Sequence, residues 1–214
     1  MVSYGVSMIM DCTHPDGGYP GGPRDPNLLQ LHKDHSSYYN WEGHEKMEIR
    51  IDERAHQLGD WNLTKKQILL VNASRLGGLS IIQLSQIDHP LITDNTNRWR
   101  SETNSLSFNI QIGEMTPTLF DVYEILTLVV DGAPVTYRPI NDYREYIESQ
   151  LGEVPLEATM LTRYLQFFED TEQASGYAWG VASLAYLYRS LEKSCTFKCR
   201  HFSGSTTLMQ SAME

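Results

Sequence analysis

The chain is poor in several features that would assign it quickly. It has three cysteines in 214 residues, too few and too odd a number for a disulfide framework, and a better fit to a reducing compartment. Cations are scarce as well. Lys and Arg total 17 against 27 Asp and Glu, a formal charge of −10, and Lys65-Lys66 is the only adjacent basic pair. That balance argues against non-specific grip on nucleic acid or an anionic membrane, which needs clustered positive charge. No apolar run approaches the ~20 residues of a membrane span. The opening MVSYGVSMIMDCTHPDGG lacks a basic leading region and a clear cleavage site, so no secretory signal is expected. The sequons at Asn62 and Asn72 carry little meaning without one. Nucleophile-elbow, P-loop and dinucleotide-binding signatures do not occur either.

What is present is one domain's worth of apolar sequence, 41% of the chain. Residues 13–27, THPDGGYPGGPRDPN, are dominated by Gly, Pro and Asp and read as an irregular linker. The division expected is therefore a flexible arm over 1–27 and a helical domain over 28–214. At the start of that domain Leu28, Leu29, Leu31, Tyr38, Tyr39 and Trp41 are apolar enough to dock on a core.

The most informative stretch is 105–137, SLSFNIQIGEMTPTLFDVYEILTLVVDGAPVTY. Leu106, Phe108, Ile110 and Ile112 alternate, as on one face of a strand. After a turn at Gly113-Glu114, either Thr116 or Thr118 can cap a helix. Pro117 fits its first turn in the first case, and Asp121 completes a capping box in the second. Leu119, Val122, Leu126 and Val129 form a helical stripe that Gly132 and Pro134 end.

Elsewhere, short helices are expected over 63–71 (with Thr64 as cap), 79–87 and 140–151, and another short apolar element over 160–170. Residues 91–99 read as a helix ending near Trp99, although Asp94-Asn95-Thr96-Asn97 interrupts its apolar pattern. Residues 177–191, YAWGVASLAYLYRSL, are apolar nearly all round and predict the most buried helix, with Gly180 admitting a close neighbour. The fold class expected is mainly α: a single helical domain with a small β-hairpin and a flexible N-terminal arm.

Candidate chemistry is thin. Cys195, Cys199 and His201 approach metal-ligand spacing, with Cys12 or His14 to complete a set, but no paired motif supports them. His32 and His35 are no better and read as polar surface residues. The acidic groups Glu169, Asp170 and Glu172, and Asp52 with Glu53, read as solvated faces or caps with no nucleophile beside them. No catalytic residue, metal or cofactor is expected.

The order of segments resembles the plant mobile domain family, in its MAIN-like branch. His89-Pro90-Leu91-Ile92-Thr93 followed by Arg98-Trp99-Arg100-Ser101-Glu102-Thr103 is similar to the family's "HPLIT…RWRPET" block. Residues 113–122 and 130–135, GEMTPTLFDV and VDGAPV, are similar to "GEMTPTLQDV…LPVDGxPV". Residues 176–180 and 185–189, GYAWG and AYLYR, are similar to "YSWG…LAWLYRxL", and Asp25-Pro26-Asn27-Leu28-Leu29 with His35 and Trp41 to the lead-in. On these blocks Trp99, Glu114, Thr118, Asp121, Gly132, Trp179 and Gly180 are the candidate structural determinants, none of them a catalyst. The family's aminotransferase-like label finds no lysine here in a recognisable cofactor setting.

The resemblance implies a nuclear, non-enzymatic interaction module acting in meristem maintenance, genome stability and transposon silencing. It also implies a partner: a phosphatase-like relative carrying a domain of the same type. The competing classes are a transposon-derived nucleic-acid-binding protein and a degenerate phosphatase-associated enzyme. Against the family pattern, the chain looks shortened, with a segment missing near 159–162 and a C-terminal extension absent. Loss of a covering helix predicts an apolar groove beside 177–191, lined by several of Tyr164, Phe167, Phe168, Tyr186 and Tyr188.

Overall fold

The computed structural model describes residues 28, 30–51, 64–80, 82, 87–108, 111–151 and 166–213. The arm and linker of 1–27, Asp52 with Glu53, and Tyr164 lie outside the described residues, as does the joint near 159–162.

Most of the helices start where a short polar side chain can take up free N–H groups. Helix α1 (Ser36–Trp41) is capped by His35, α2 (Lys65–Ala73) by Thr64, and α3 (His89–Arg98) by Asp88 with Pro90 in its first turn. Thr64 and Gln67 form a complete capping box. Strand β1 (Arg50–Ile51) lies between α1 and α2. After α3 the chain forms a three-stranded antiparallel sheet from β2 (Trp99–Arg100), β3 (Ser105–Ser107) and β4 (Glu114–Met115). Trp99 pairs with Leu106, and Leu106 with Met115. Helices α4 (Leu119–Leu126), α5 (Tyr143–Leu151), α6 (Thr171–Ala174) and α7 (Trp179–Ser194) follow. Strand β5 (His201–Phe202) and α8 (Thr206–Ser211) close the order. The fold is mainly α, with a small β element, as its sequence predicts.

The core lies where α3, α4, α7 and α8 meet the sheet. Ile92, Trp99, Leu106, Val122, Leu187, Leu191, Leu208 and Met209 are fully buried there. Each such side chain contributes ~1.5–3 kcal/mol of transfer free energy. Phe202 and Ile49 join them from the two ends of the chain, because β1 and β5 pair in parallel: Arg50 faces His201 and Ile51 faces Phe202.

Several local expectations change. Helix α3 runs unbroken through Asp94–Asn97. Asn95 and Thr96 are buried, the Thr96 hydroxyl donates to Thr93 O, and Asp94 pairs with Arg98 one turn on. The region of 79–87 holds a single 3-10 turn, Gly77–Ser80, while Ser85 and its neighbours 83–86 lie outside the described residues. The α4 helix stops at Leu126, three residues short of Val129, because Thr127 takes a left-handed conformation, φ 52°. The predicted strand shortens to 105–107, with Ile112 exposed in the turn.

Helix α7 is longer than expected and holds the most buried residues of any helix among the described residues, but it is not buried all round. It hides the stripe Gly180, Leu187, Ser190, Leu191 and Ser194, while Val181 and Tyr186 face solvent. Its alanines and tyrosines made the sequence look apolar all round, but only one side meets the core. The groove expected beside it is likewise not as drawn. Phe167 is buried, Tyr188 is partly buried and hydrogen-bonded, and only Phe168 and Tyr186 of the described members are exposed.

Candidate functional site

The structure gathers the seven candidate determinants into three places. Thr118 and Asp121 start α4. Their capping box is closed on both sides: Thr118 N–H and its hydroxyl donate to Asp121 Oδ2 at 2.6 and 2.7 Å, and Asp121 N–H donates to Thr118 Oγ1 at 3.3 Å. Thr118 rather than Thr116 is therefore the cap. The Thr116 hydroxyl donates to Asn104 O at 2.8 Å instead, binding α4's approach to the sheet.

Gly132, Trp179 and Gly180 meet at the start of α7. Gly132 has φ 126°, and a Cβ there would lie 2.4 Å from Gly176 O. This closeness lets Ala133 N–H donate to Gly176 O (2.8 Å) and Ala178 N–H to Ala133 O (2.9 Å). Gly180 N–H donates to Val129 O at 2.7 Å, and a Cβ on Gly180 would sit 2.9–3.1 Å from Val130, Val129 O and Val122. Trp179 stacks on Phe168, with ring centres 5.5 Å apart, and donates from Nε1 to Ala174 O.

Trp99 and Glu114 belong to the sheet. Glu114 accepts from the Ser105 hydroxyl at 2.6 Å. The buried Trp99 ring lies 5.1 Å from that of Tyr188, whose hydroxyl donates to Pro117 O at 2.7 Å and lies 2.8 Å from Thr116 Oγ1. Tyr188, missed as a determinant by its sequence, thus ties α7 to the sheet and to the start of α4.

A buried polar knot was also missed. His35 is not a surface residue: it is 4% exposed. Its Nδ1 accepts from Ser37 N–H at 3.0 Å, so Nε2 carries the proton and donates to Trp99 O at 2.8 Å. Burial, then the positive charge of Arg100, pulls its pKa down to about 4. Lys46 donates to Ser194 O and to Ser36 Oγ at 3.0 Å, and Ser36 passes a hydrogen bond to Cys195 O at 2.6 Å. Burial lowers Lys46 to about 8. The knot satisfies the orphan carbonyls at the C-terminus of α7 with cationic and hydroxyl donors. It latches residues 35–46 onto the core.

The remaining sequence candidates do not converge. Cys195 Sγ donates to Glu192 O and Cys199 Sγ to His201 O. Burial pushes the Cys195 thiol up. Among the described residues no three His, Cys, Asp or Glu side chains are placed to hold a metal ion. Cys12 and His14 lie outside those residues. Asp170 caps α6 through the N–H groups of Glu172 and Gln173, and Glu169 accepts from the Tyr146 hydroxyl.

The exposed counterpart to these buried arrangements is the outer face of α4. Val122 and Leu126 fill the core from one side of the helix. Opposite them stand Phe120, 71% exposed, and Tyr123, 55% exposed, with Leu119 beside them and Glu124 one turn from Phe120. The capping box and the core hold this face rigid.

Residues 76–161 match the plant mobile domain. The chain is 31% identical to protein MAIN-LIKE 2 of Arabidopsis thaliana, across 88% of this chain and 36% of that protein. It is 31% identical to protein MAINTENANCE OF MERISTEMS of the same plant, across 78% of this chain and 46% of that protein. The serine/threonine-protein phosphatase 7 long form homolog of that plant is 32% identical, across 63% of this chain and 10% of that protein. The chain thus spans less than half the length of each of these relatives. No solved structure matches.

Proposed function

We propose that this chain, which matches the plant mobile domain over residues 76–161 and is similar to the MAIN-like proteins, acts by binding a protein partner, not by catalysis. The observation that carries the reading is the outer face of α4, where Phe120 and Tyr123 stand exposed on a helix held from behind by Val122 and Leu126. Exposed aromatics on a rigid support lose little side-chain entropy when they are covered, which favours their use as binding anchors.

The partner in this reading is a phosphatase-like relative carrying a domain of the same type. Its support is the likeness of this chain to part of the phosphatase 7 long form homolog. The setting is the plant nucleus, and the role lies in meristem maintenance, genome stability and transposon silencing; the MAIN-like resemblance supports these assignments. The test is capture from plant nuclei on the purified chain, with bound proteins identified by mass spectrometry. Wild type retains a phosphatase-like relative and Phe120→Asp loses it. Equal capture by both forms would remove the α4 face from the reading. Turnover of a generic phosphate ester, abolished by a chelator, would replace it with an enzyme.

A further inference from the structure

A second helix is as uncovered as α4. None of the described side chains of α2 is buried, and Ile68, Leu69 and Leu70 are 45%, 69% and 41% exposed. It also carries Lys65 and Lys66, the chain's only adjacent basic pair, and no acidic residue. The outer face of α4 has the opposite character, with Phe120 and Tyr123 beside the exposed carboxylate of Glu124.

We propose that the α4 face of one copy receives α2 of a second copy, the two helices packing antiparallel. The proposal rests on the reading of α4 as a binding face and adds a second occupant, one that competes with the phosphatase-like relative for Phe120. The register follows from spacing. Lys65 precedes Leu69 by four residues and Glu124 follows Phe120 by four, an offset of ~6 Å in each helix. Run antiparallel, Leu69 packs on Phe120 while Lys65 meets Glu124. That orientation also sets the lysine pair near the C-terminus of α4, the negative end of its dipole. A parallel arrangement would set the lysines at the positive end and leave Glu124 against the apolar end of α2. The apolar pair supplies the affinity, and the charge pair fixes orientation. If each copy gives one α2 and receives another, the assembly closes as a two-fold dimer.

Sedimentation velocity on the purified chain, across micromolar concentrations, tests this. The expected result is concentration-dependent association. Leu69→Glu and Phe120→Asp each weaken it by ~10-fold or more. Both side chains are largely exposed, and unchanged thermal melts identify variants that remain folded. Lys65→Glu and Glu124→Lys each weaken association by a few-fold, about what an exposed ion pair carries, and the two together restore it. A monomer at every concentration overturns the proposal, and so does a double charge reversal that weakens association further. A monomer that still captures the phosphatase-like relative through Phe120 overturns self-pairing and leaves the interaction reading standing. Self-association with the predicted charge rescue supports the pairing even where no relative is captured.

Discussion

His35 shows how much one side chain decides in this protein. A histidine that caps a helix with Nδ1 and donates from Nε2 to Trp99 O must stay neutral, because a proton on Nδ1 would remove the acceptor that Ser37 N–H needs. Its folded pKa of about 4 lies below the ordinary histidine value of 6.5. The sign follows. Above pH 6.5 both folded and unfolded forms are neutral, and the native arrangement is fully stable. As pH falls from 6.5 towards 4 the unfolded state takes up the proton first, and stability is lost across that window. Once the folded form also protonates, the loss levels off, at a total of order 3 kcal/mol. Replacing His35 with Asn, which can also cap a helix, should flatten this dependence. Urea unfolding of both proteins at pH 7, 6, 5 and 4 reads it; equal slopes would show that His35 is not the titrating group. His35 looked like a surface residue because its burial comes from a partner 64 positions away, Trp99.

At the scale of elements, α4 is the unit that serves both core and surface, and its start is its weak point. Thr118 and Asp121 satisfy three donors between them, the Thr118 hydroxyl among them. Thr118→Ala removes the acceptor for Asp121 N–H and one donor to the carboxylate, a loss of ~1 kcal/mol. For a chain of this size that lowers the melting temperature by ~2–4 °C. Differential scanning calorimetry checks it, and an unchanged melt would mean that the cap is redundant with α4's packing. This element was legible in the sequence down to two alternative caps, since a capping box is a local pattern. Thr64 and Gln67 were legible for the same reason. The errors share the opposite cause. Asp94–Asn97 interrupts the apolar pattern of α3, yet Asn95 and Thr96 find cover from the core, and the Asp88 cap holds the helix. Only tertiary packing shows which side of α7 is covered. The β1–β5 pair and the Lys46 latch join positions about 150 residues apart, and no window of sequence contains both sides of either. The pairing at Gly132 and Gly180 was half-visible: the glycines stood out, but not the carbonyls of Gly176 and Val129 that make their smallness necessary.

Across the whole molecule, burial is unevenly spread, and stability should follow it. The sheet, α3, α7 and α8 share one set of fully buried side chains, from Ile92 and Trp99 to Leu191 and Met209. Opening any of them exposes the others, so their amides exchange only through near-global unfolding. Among the described side chains, α2 has none buried and α5 contributes only Ile147 to the buried set. Each can open at a cost set mainly by its own backbone, and a helix of nine residues is marginal by itself. Hydrogen exchange on dilute protein should therefore show two classes, with Leu187–Cys195 and Ile92–Trp99 slowest and Lys65–Ala73 fast despite its complete capping box. Uniform protection would show that α2 is anchored by something other than its own side chains. The fast class matters for function, because a helix that costs little to move can adjust to a partner while the rigid α4 face stays fixed. Protection of α2 that rises with protein concentration, while α5 remains fast, would then mark the helix that enters an interface.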